Sequence, residues 1–374
     1  GTITVRASRI VAVSAHGERT PDLDFGNSAL VPGFVNAHTH LDLSGLRHQL
    51  PPSADFVGWL RGVIAHRRKS PVTDTLVDVR AGLAEALRFG TTLLGDISAG
   101  GTSWTTLANA PIRALCFREL LGLPSERVLP VWKEAASWSQ AQTETATCRQ
   151  GLSPHAPYSV HRSLIEATAR VGPVCLHLAE SLAELELLEQ KAGSFVPFLQ
   201  ELGVWEPTGL APSWDWLVWR AARAPLALLA HGNYLPTTTH IPKNVTLVYC
   251  PRTHAAFAHT KYPLAKWLEK GVRIALGTDS LASNPDLDIF AEARFVREQH
   301  PEITPDTCLR LATLSGAEAL GFANDTGSLT PGKSADLVAL SLPEREHADP
   351  YELLFDSTTG LKRQTLFAGE WLQP

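Results

Sequence analysis

Methionine is missing altogether from the 374 residues, where about two per hundred are usual, so spacings between distant motifs carry a residue of slack. Cysteine is scarce. Cys116, Cys148, Cys175, Cys250 and Cys308 are scattered in apolar surroundings, and no two form a CxxC pair. An odd, dispersed set is no disulfide framework. The lack of CxxC excludes thioredoxin-type redox motifs, zinc ribbons and the PCxxC zinc site of cytidine-type deaminases. Reduced, buried thiols suggest a cytoplasmic protein. Excess charge is also lacking: 33 Lys and Arg stand against 38 Asp and Glu, a net charge of −5. A nucleic-acid partner needs a basic patch to neutralise phosphates. The one compact basic run, His66-Arg67-Arg68-Lys69, reads as the solvated face of a helix. No run of about 18 apolar residues exists, so no membrane span is expected. Residues 1–10 read as a short strand, not a signal peptide.

What is present is core material. Hydrophobic residues make up 44% and charged residues 19%, the composition of a globular protein. The length suits two or three domains, or one barrel of about 250 residues with a small companion.

The first thirty residues alternate in hairpin style, with Ile3 and Val5, then Ile10, Val11 and Val13, around His16-Gly17. The chain ends similarly, with turn chemistry at 327–333, a short strand at 336–340 and a strand with a glycine bend at 366–371. Between them, short apolar runs alternate with helical patterns, the form of repeated βα units. Candidate strands are 30–37, 91–96, 112–117, 151–153, 174–177, 226–231, 246–249 and 273–277. Candidate helices are 53–68, 73–89, 162–171, 182–191, 264–270, 285–300 and 307–320. Eight strands with intervening helices predict an α/β fold, a (β/α)8 TIM barrel at 32–320. Residues 1–31 and 321–374 are expected to build one small β-sandwich domain. A Trp-rich excursion at 195–223 covers either the barrel mouth or the outer helices.

The sharpest local feature is Val31-Pro-Gly-Phe-Val-Asn-Ala-His38-Thr-His40. Side chains alternate along a strand, so His38 and His40 point the same way, about 7 Å apart, and can converge on one metal ion. An isolated HxH arises by chance. Here three further apolar runs end at once in potential ligands: Cys175-Leu-His177, Leu228-Leu-Ala-His231 and Ile274-Ala-Leu-Gly-Thr-Asp279. Barrel enzymes place their chemistry at the carboxyl ends of strands.

Together with HLAES (177–181), LAHGN (229–233), CPRTH (250–254), LGTDS (276–280) and PGKSADLV (331–338), the segment PGFVNAHTHL (32–41) resembles the amidohydrolase superfamily, in its mononuclear branch of aromatic deaminases and chlorohydrolases. The resemblance covers nearly the whole chain. It implies His38, His40, His177 and Asp279 as ligands of one Zn2+, with Fe2+ as the other ion such nitrogen and oxygen donors accept. It implies Glu180 as general acid/base, His231 as the histidine contacting the attacking water, and His155 as a substrate contact. Binuclear relatives use a carbamylated lysine on the fourth strand. None lies between Arg149 and Arg162, which favours a single metal.

The implied catalytic residues are Glu180, His231 and Asp279, and the implied reaction is hydrolytic removal of an amino group from an aromatic ring. A protonated Glu180 donates to the ring nitrogen, while Asp279 can both ligate and accept a proton. The bland alternatives are a helix N-terminal carboxylate for Glu180, a structural histidine for His231 and a loop histidine for His155. Glu119 and Arg252 are further substrate-contact candidates, and Phe56 and Trp59 are candidates for stacking on a flat ring. Each suits packing equally well. Arg47 or Arg252 could hold a substrate carboxylate.

Gly45-Leu-Arg47, Phe56-Val-Gly-Trp59, Ser153-Pro-His-Ala-Pro-Tyr158 and His177-Leu-Ala-Glu-Ser181 with Glu184 and Glu186 are most similar to aminofutalosine deaminases, enzymes of menaquinone biosynthesis. Methylthioadenosine or S-adenosylhomocysteine deaminases come next, then guanine deaminase, chlorotriazine hydrolase and imidazolonepropionase. The expected partner is a small-molecule substrate, with no nucleic acid and no membrane; a homodimer is left open. An inert metal scaffold is disfavoured, because no ligand is missing. A binuclear amide hydrolase would need two metals.

Overall fold

The computed structural model describes residues 1–345, 349–356, 358 and 360–372. The other positions of the expected 321–374 segment lie outside the described residues. The chain opens with a hairpin of β1 (Thr2–Arg6) and β2 (Arg9–Ser14), followed by β3 (Ser28–Pro32). Eight strands then succeed one another: β4 (Phe34–Thr39), β5 (Thr91–Ala99), β6 (Arg113–Leu120), β7 (Cys148–Pro154), β8 (Val174–Leu178), β9 (Ala227–His231), β10 (Val245–Tyr249) and β11 (Arg273–Leu276). They form one parallel sheet in sequence order. Helices cover their outer faces, so both faces are buried and the strands read as near-continuous apolar runs. All five residues of β8, β9 and β10 are buried.

The sheet curls until its two edges meet. Thr39 bridges Asp279 in parallel register. The His38 carbonyl accepts the Thr278 and Asp279 amides at 3.1 and 3.0 Å. This closure joins positions 240 residues apart, and it sets the His38-Thr-His40 segment beside Asp279.

The expected first strand, 30–37, serves two sheets. It breaks at Gly33, where a Cβ would overlap the Thr92 side chain. The part before the break, β3, pairs with β12 (Leu337–Ser341), and the part after it opens the barrel. β12 continues to β13 (Arg363–Phe367) and β14 (Glu370–Trp371). The β1–β2 hairpin joins this region through the Ile10 amide, which donates to the Lys333 carbonyl at 2.9 Å. Ile10, Ala335, Leu337 and Leu366 share a small apolar cluster. The satellite is thus two small sheets drawn from both ends of the chain. The buried Arg113–Asp336 ion pair anchors it to β6.

One expected helix is divided in the structure, and others were not foreseen. The stretch 307–320 is two helices, Pro305–Leu311 and Leu314–Ala319. The break lies where the Ala312 carbonyl accepts the Val35 amide of β4 at 2.8 Å, and Gly316 lies so close that a Cβ would strike Val35. Ser125–Ala141 is a helix that sequence reading missed, because Pro130 lies inside it. The lost backbone bond is offset by burial of Val131, Ala135 and Trp138. The Trp-rich excursion does both jobs expected of it. Phe195, Phe198 and Leu199 join Phe56, Trp59, Tyr158 and Phe257 in one apolar cluster, while Trp214, Leu217 and Val218 pack into the main core beside Leu164 and Leu229. Among the described residues no helix is long and apolar enough to cross a membrane, and all five cysteines are buried and free.

Candidate metal centre and active site

The strand ends deliver five side chains to one rim. His38 lies on β4 and His40 one residue past it, on the same side by strand alternation. His177 lies on β8, His231 ends β9 and Asp279 follows β11. The backbone is held in the left-handed region at Ala179 (φ 51°), His231 (φ 68°) and Asp279 (φ 59°). Such conformations are costly for residues with a Cβ and gather where a surrounding structure enforces them. All three lie at this rim, and each turns a strand end so that a functional side chain faces inward.

The donor atoms converge. His40 Nε2 lies 3.2 Å from His177 Nε2. Asp279 Oδ1 lies 3.8 Å from His38 Nε2 and 3.6 Å from His40 Nε2. A tetrahedral shell at zinc distances has edges of about 3.4 Å, so these four donors fit one such ion. Their protonation fits as well. His177 Nδ1 lies 2.9 Å from the His155 carbonyl, so it carries the proton and donates, leaving the Nε2 lone pair aimed at the cluster. His38 Nε2 is buried with no hydrogen-bond partner among the described residues. Burial pushes His38 down to about 3, and it holds His40 and His177 well below the usual histidine range. Neutral imidazoles offer ring-nitrogen lone pairs that a cation between them could accept. Ser283 donates to Asp279 Oδ2 at 2.8 Å, which leaves Oδ1 for the cluster. Burial raises Asp279 to about 7; a bound cation would reverse that direction.

Glu180 and His231 complete the constellation. The Glu180 carboxyl lies 3.6 Å from His231 Nε2. Burial, with the nearby Asp279 and Glu184 charges, raises its pKa well above the usual carboxylate range. A raised pKa favours the protonated form, the one that can donate.

A narrow cavity of about 50 Å3 opens on this rim. Of the expected substrate contacts, His155, Glu119, Phe56 and Trp59 line it. Arg252 does not. Its guanidinium is spent on Glu292 and Asp286, both at 2.7 Å. The helix Pro251–Ala256 starts there, and it turns the side chain away from the rim toward helix Ile289–Gln299. Glu292 accepts from Asn284, which in turn holds the Thr278 carbonyl at 2.7 Å, so Arg252 braces the loop that carries Asp279. Arg252→Ala leaves Glu292 buried without its counter-charge. It is expected to destabilise the fold by about 3 kcal/mol, read as a lower denaturant midpoint with an unchanged slope. Arg47 is likewise engaged, with Glu85 and the Pro285 carbonyl.

Sequence reading missed Arg67. It was expected on a solvated face, yet it turns inward from helix Phe56–Lys69 to line the cavity, bonding Glu119 at 2.6 Å and Asp42 at 3.2 Å. Helical periodicity carries the signal: Arg67 continues the buried line of Phe56, Leu60 and Val63. Tyr158, also on the cavity wall, is stacked on Phe195 with ring centres 4.4 Å apart.

The model of the Amidohydrolase family matches residues 29–371. The chain is 30% identical to 5-methylthioadenosine/S-adenosylhomocysteine deaminase of Syntrophobacter fumaroxidans, covering 91% of this chain and 80% of that protein. It is 28% identical to aminodeoxyfutalosine deaminase of Nitratiruptor sp., covering 85% and 80%. In fold it is similar to the crystal structure of Helicobacter pylori aminofutalosine deaminase in complex with methylthio-coformycin, with a TM-score of 0.85, 23% identity, and 99% and 94% of the two chains covered.

Proposed function

The chain belongs to the amidohydrolase family, and from that premise we propose that it is a mononuclear zinc deaminase that removes the 6-amino group of an adenosine-type nucleoside, aminofutalosine first among them. The observation that carries this reading is the single rim where His38, His40, His177, Asp279 and the buried Glu180 meet beside a cavity lined in part by aromatic side chains.

His38, His40, His177 and Asp279 would hold the ion, and three neutral imidazoles with one carboxylate leave it electrophilic. When bound, zinc brings the pKa of a water near neutrality and so supplies a nucleophile at physiological pH. The chain's own residues do the rest. Phe56, Trp59 and Tyr158 are the aromatic side chains of the cavity wall that an entering purine ring would meet. Glu180 donates its proton to the ring nitrogen as water adds to the carbon bearing the amino group. It then takes up one proton from the water and passes it to the amine, which leaves as ammonia, and the remaining hydroxyl proton returns to Glu180 as the carbonyl forms. His231, beside Glu180, orients the water through Nε2, an atom with no partner among the described residues. His155 and Glu119 face the remaining cavity and contact the nucleoside beyond the ring.

The identity to a 5-methylthioadenosine/S-adenosylhomocysteine deaminase supports a second reading, with those nucleosides as substrates. One screen separates the two. Zinc-loaded protein is incubated with aminofutalosine, methylthioadenosine, S-adenosylhomocysteine, adenosine, guanine and an aminotriazine, and ammonia is measured. The expected result is release from the adenosine-type compounds, with kcat/KM highest for aminofutalosine. A higher value for methylthioadenosine moves the assignment to the second reading. No release from any of them overturns both.

A further inference from the structure

Ser181-Leu-Ala-Glu184 has the sequence form of a capping box, in which the glutamate three residues into a helix returns to the amide of the capping serine. Half of that motif is present. Ser181 caps helix Leu182–Gln190 by accepting the Glu184 amide at 3.2 Å. The other half is diverted. The Glu184 carboxylate reaches past the cap. It accepts the Ala179 amide on Oε1 at 3.0 Å and the Glu180 amide on Oε2 at 2.9 Å. The side chain that normally closes a helix start instead holds two successive amides of the preceding turn.

That turn is strained and it carries Glu180. Ala179 has φ 51°, a left-handed conformation that an alanine adopts at a cost. Its partners hold it from every side. The Tyr234 amide donates to the Ala179 carbonyl at 3.0 Å. Asn233 donates to the Glu180 carbonyl at 3.0 Å, and His254 Nδ1 lies 3.0 Å from the Asn233 side-chain oxygen. Glu184 is fully buried, a costly place for a carboxylate unless its position is used. Without the two accepted amides the turn can relax toward ordinary backbone, and the Glu180 side chain swings away from the rim.

We propose that Glu184 is the positioning residue for Glu180: its paired carboxylate oxygens clamp the left-handed 179–180 turn, which aims the Glu180 carboxyl into the rim of metal-ligating side chains. This rests on the proton-shuttle role given to Glu180 above. Two amides side by side need two acceptor oxygens. Glutamine supplies one, and its amino group would face the second N–H. Glu184→Gln is therefore expected to be intermediate, and Glu184→Ala fully released.

The test compares full-length, zinc-loaded wild type with Glu184→Gln, Glu184→Ala, Glu180→Gln and the double variant Glu180→Gln/Glu184→Ala. The assay is ammonia release from the best nucleoside found, with kcat expressed per bound zinc. Glu184→Ala is expected to lower kcat by about 100-fold and Glu184→Gln by about 10-fold, with KM within about threefold of wild type and zinc content unchanged. In the Glu180→Gln background, Glu184→Ala is expected to cost no more than about a further twofold, because a residue acting only through Glu180 has nothing left to position. Amide hydrogen exchange on the metal-free protein gives an independent readout: the Ala179 and Glu180 amides lose protection in Glu184→Ala, while β8 keeps its own. Should Glu184→Ala not fold, Glu184→Gln bears the same comparison. A kcat per zinc within twofold of wild type in the variant that folds, or equal losses in both backgrounds, overturns the proposal. Wild-type kcat in Glu180→Gln alone removes the shuttle role itself, and the proposal with it.

Discussion

Glu180→Gln is expected to lower kcat by about a thousandfold or more while KM and zinc content stay near wild type. The substitution preserves volume and one carbonyl oxygen. It removes the acid that must deliver two different protons, its own to the ring nitrogen and then one taken from the water to the leaving amine. The environment is built for a protonated acid: Glu180 is buried, and the Asp279 and Glu184 charges oppose its ionisation. Because the loss falls on proton transfer and not on binding, it must appear in kcat. Steady-state kinetics with metal analysis of the same sample settle the point. A variant within tenfold of wild type would leave Glu180 as no more than a carboxylate near a helix start.

Asp279→Ala is expected to abolish measurable deamination and to weaken zinc binding by more than about 100-fold, since even substitution of groups behind the ligands costs about 10–100-fold. Asp279 is the one anionic donor among the four, and it lies 3.6 and 3.8 Å from two of the imidazoles. Its loss also removes the nearest acceptor of the Ser283 hydroxyl and a side chain from the loop that seals the barrel edge. Dialysis of the wild type against a chelator is expected to reproduce the loss of activity, and added zinc to restore it. The holo protein is expected to melt at a higher temperature, because the ion binds the folded chain in preference to the unfolded one. Elemental analysis that finds about one zinc per wild-type chain and nearly none in Asp279→Ala meets this expectation. Equal content in both would remove Asp279 from the ligand set.

Where sequence reading succeeded, it did so because the information is local. Leu228-Leu-Ala-His231 and Ile274-Ala-Leu-Gly-Thr-Asp279 show strand and donor in one short phrase. The spacing of His38 and His40 alone puts them on one side of a strand. The readings that changed involve the direction of a side chain toward something remote in sequence. Arg252 follows a strand end, as a substrate contact should, yet Glu292 draws it away from the cavity, 40 residues on. Arg67 looks like one of four solvated basic residues, but it finds Asp42 and Glu119 inside. Glu184, named in the sequence only within a family motif, takes the two amides of a strained turn that only the fold offers it.

The sequence by itself determined the βα rhythm, the strand positions and the kinds of donor atom at their ends, because backbone periodicity and residue chemistry are properties of a few neighbouring residues. Only the tertiary structure decided which of those donors meet. Curling of the eight-stranded sheet brings His38 and Asp279 together across 240 intervening residues, and the left-handed turns at 179, 231 and 279 aim their side chains inward. Those conformations are unfavourable locally, so nothing short-range in the sequence announces them; they are held by contacts that exist once the barrel has closed.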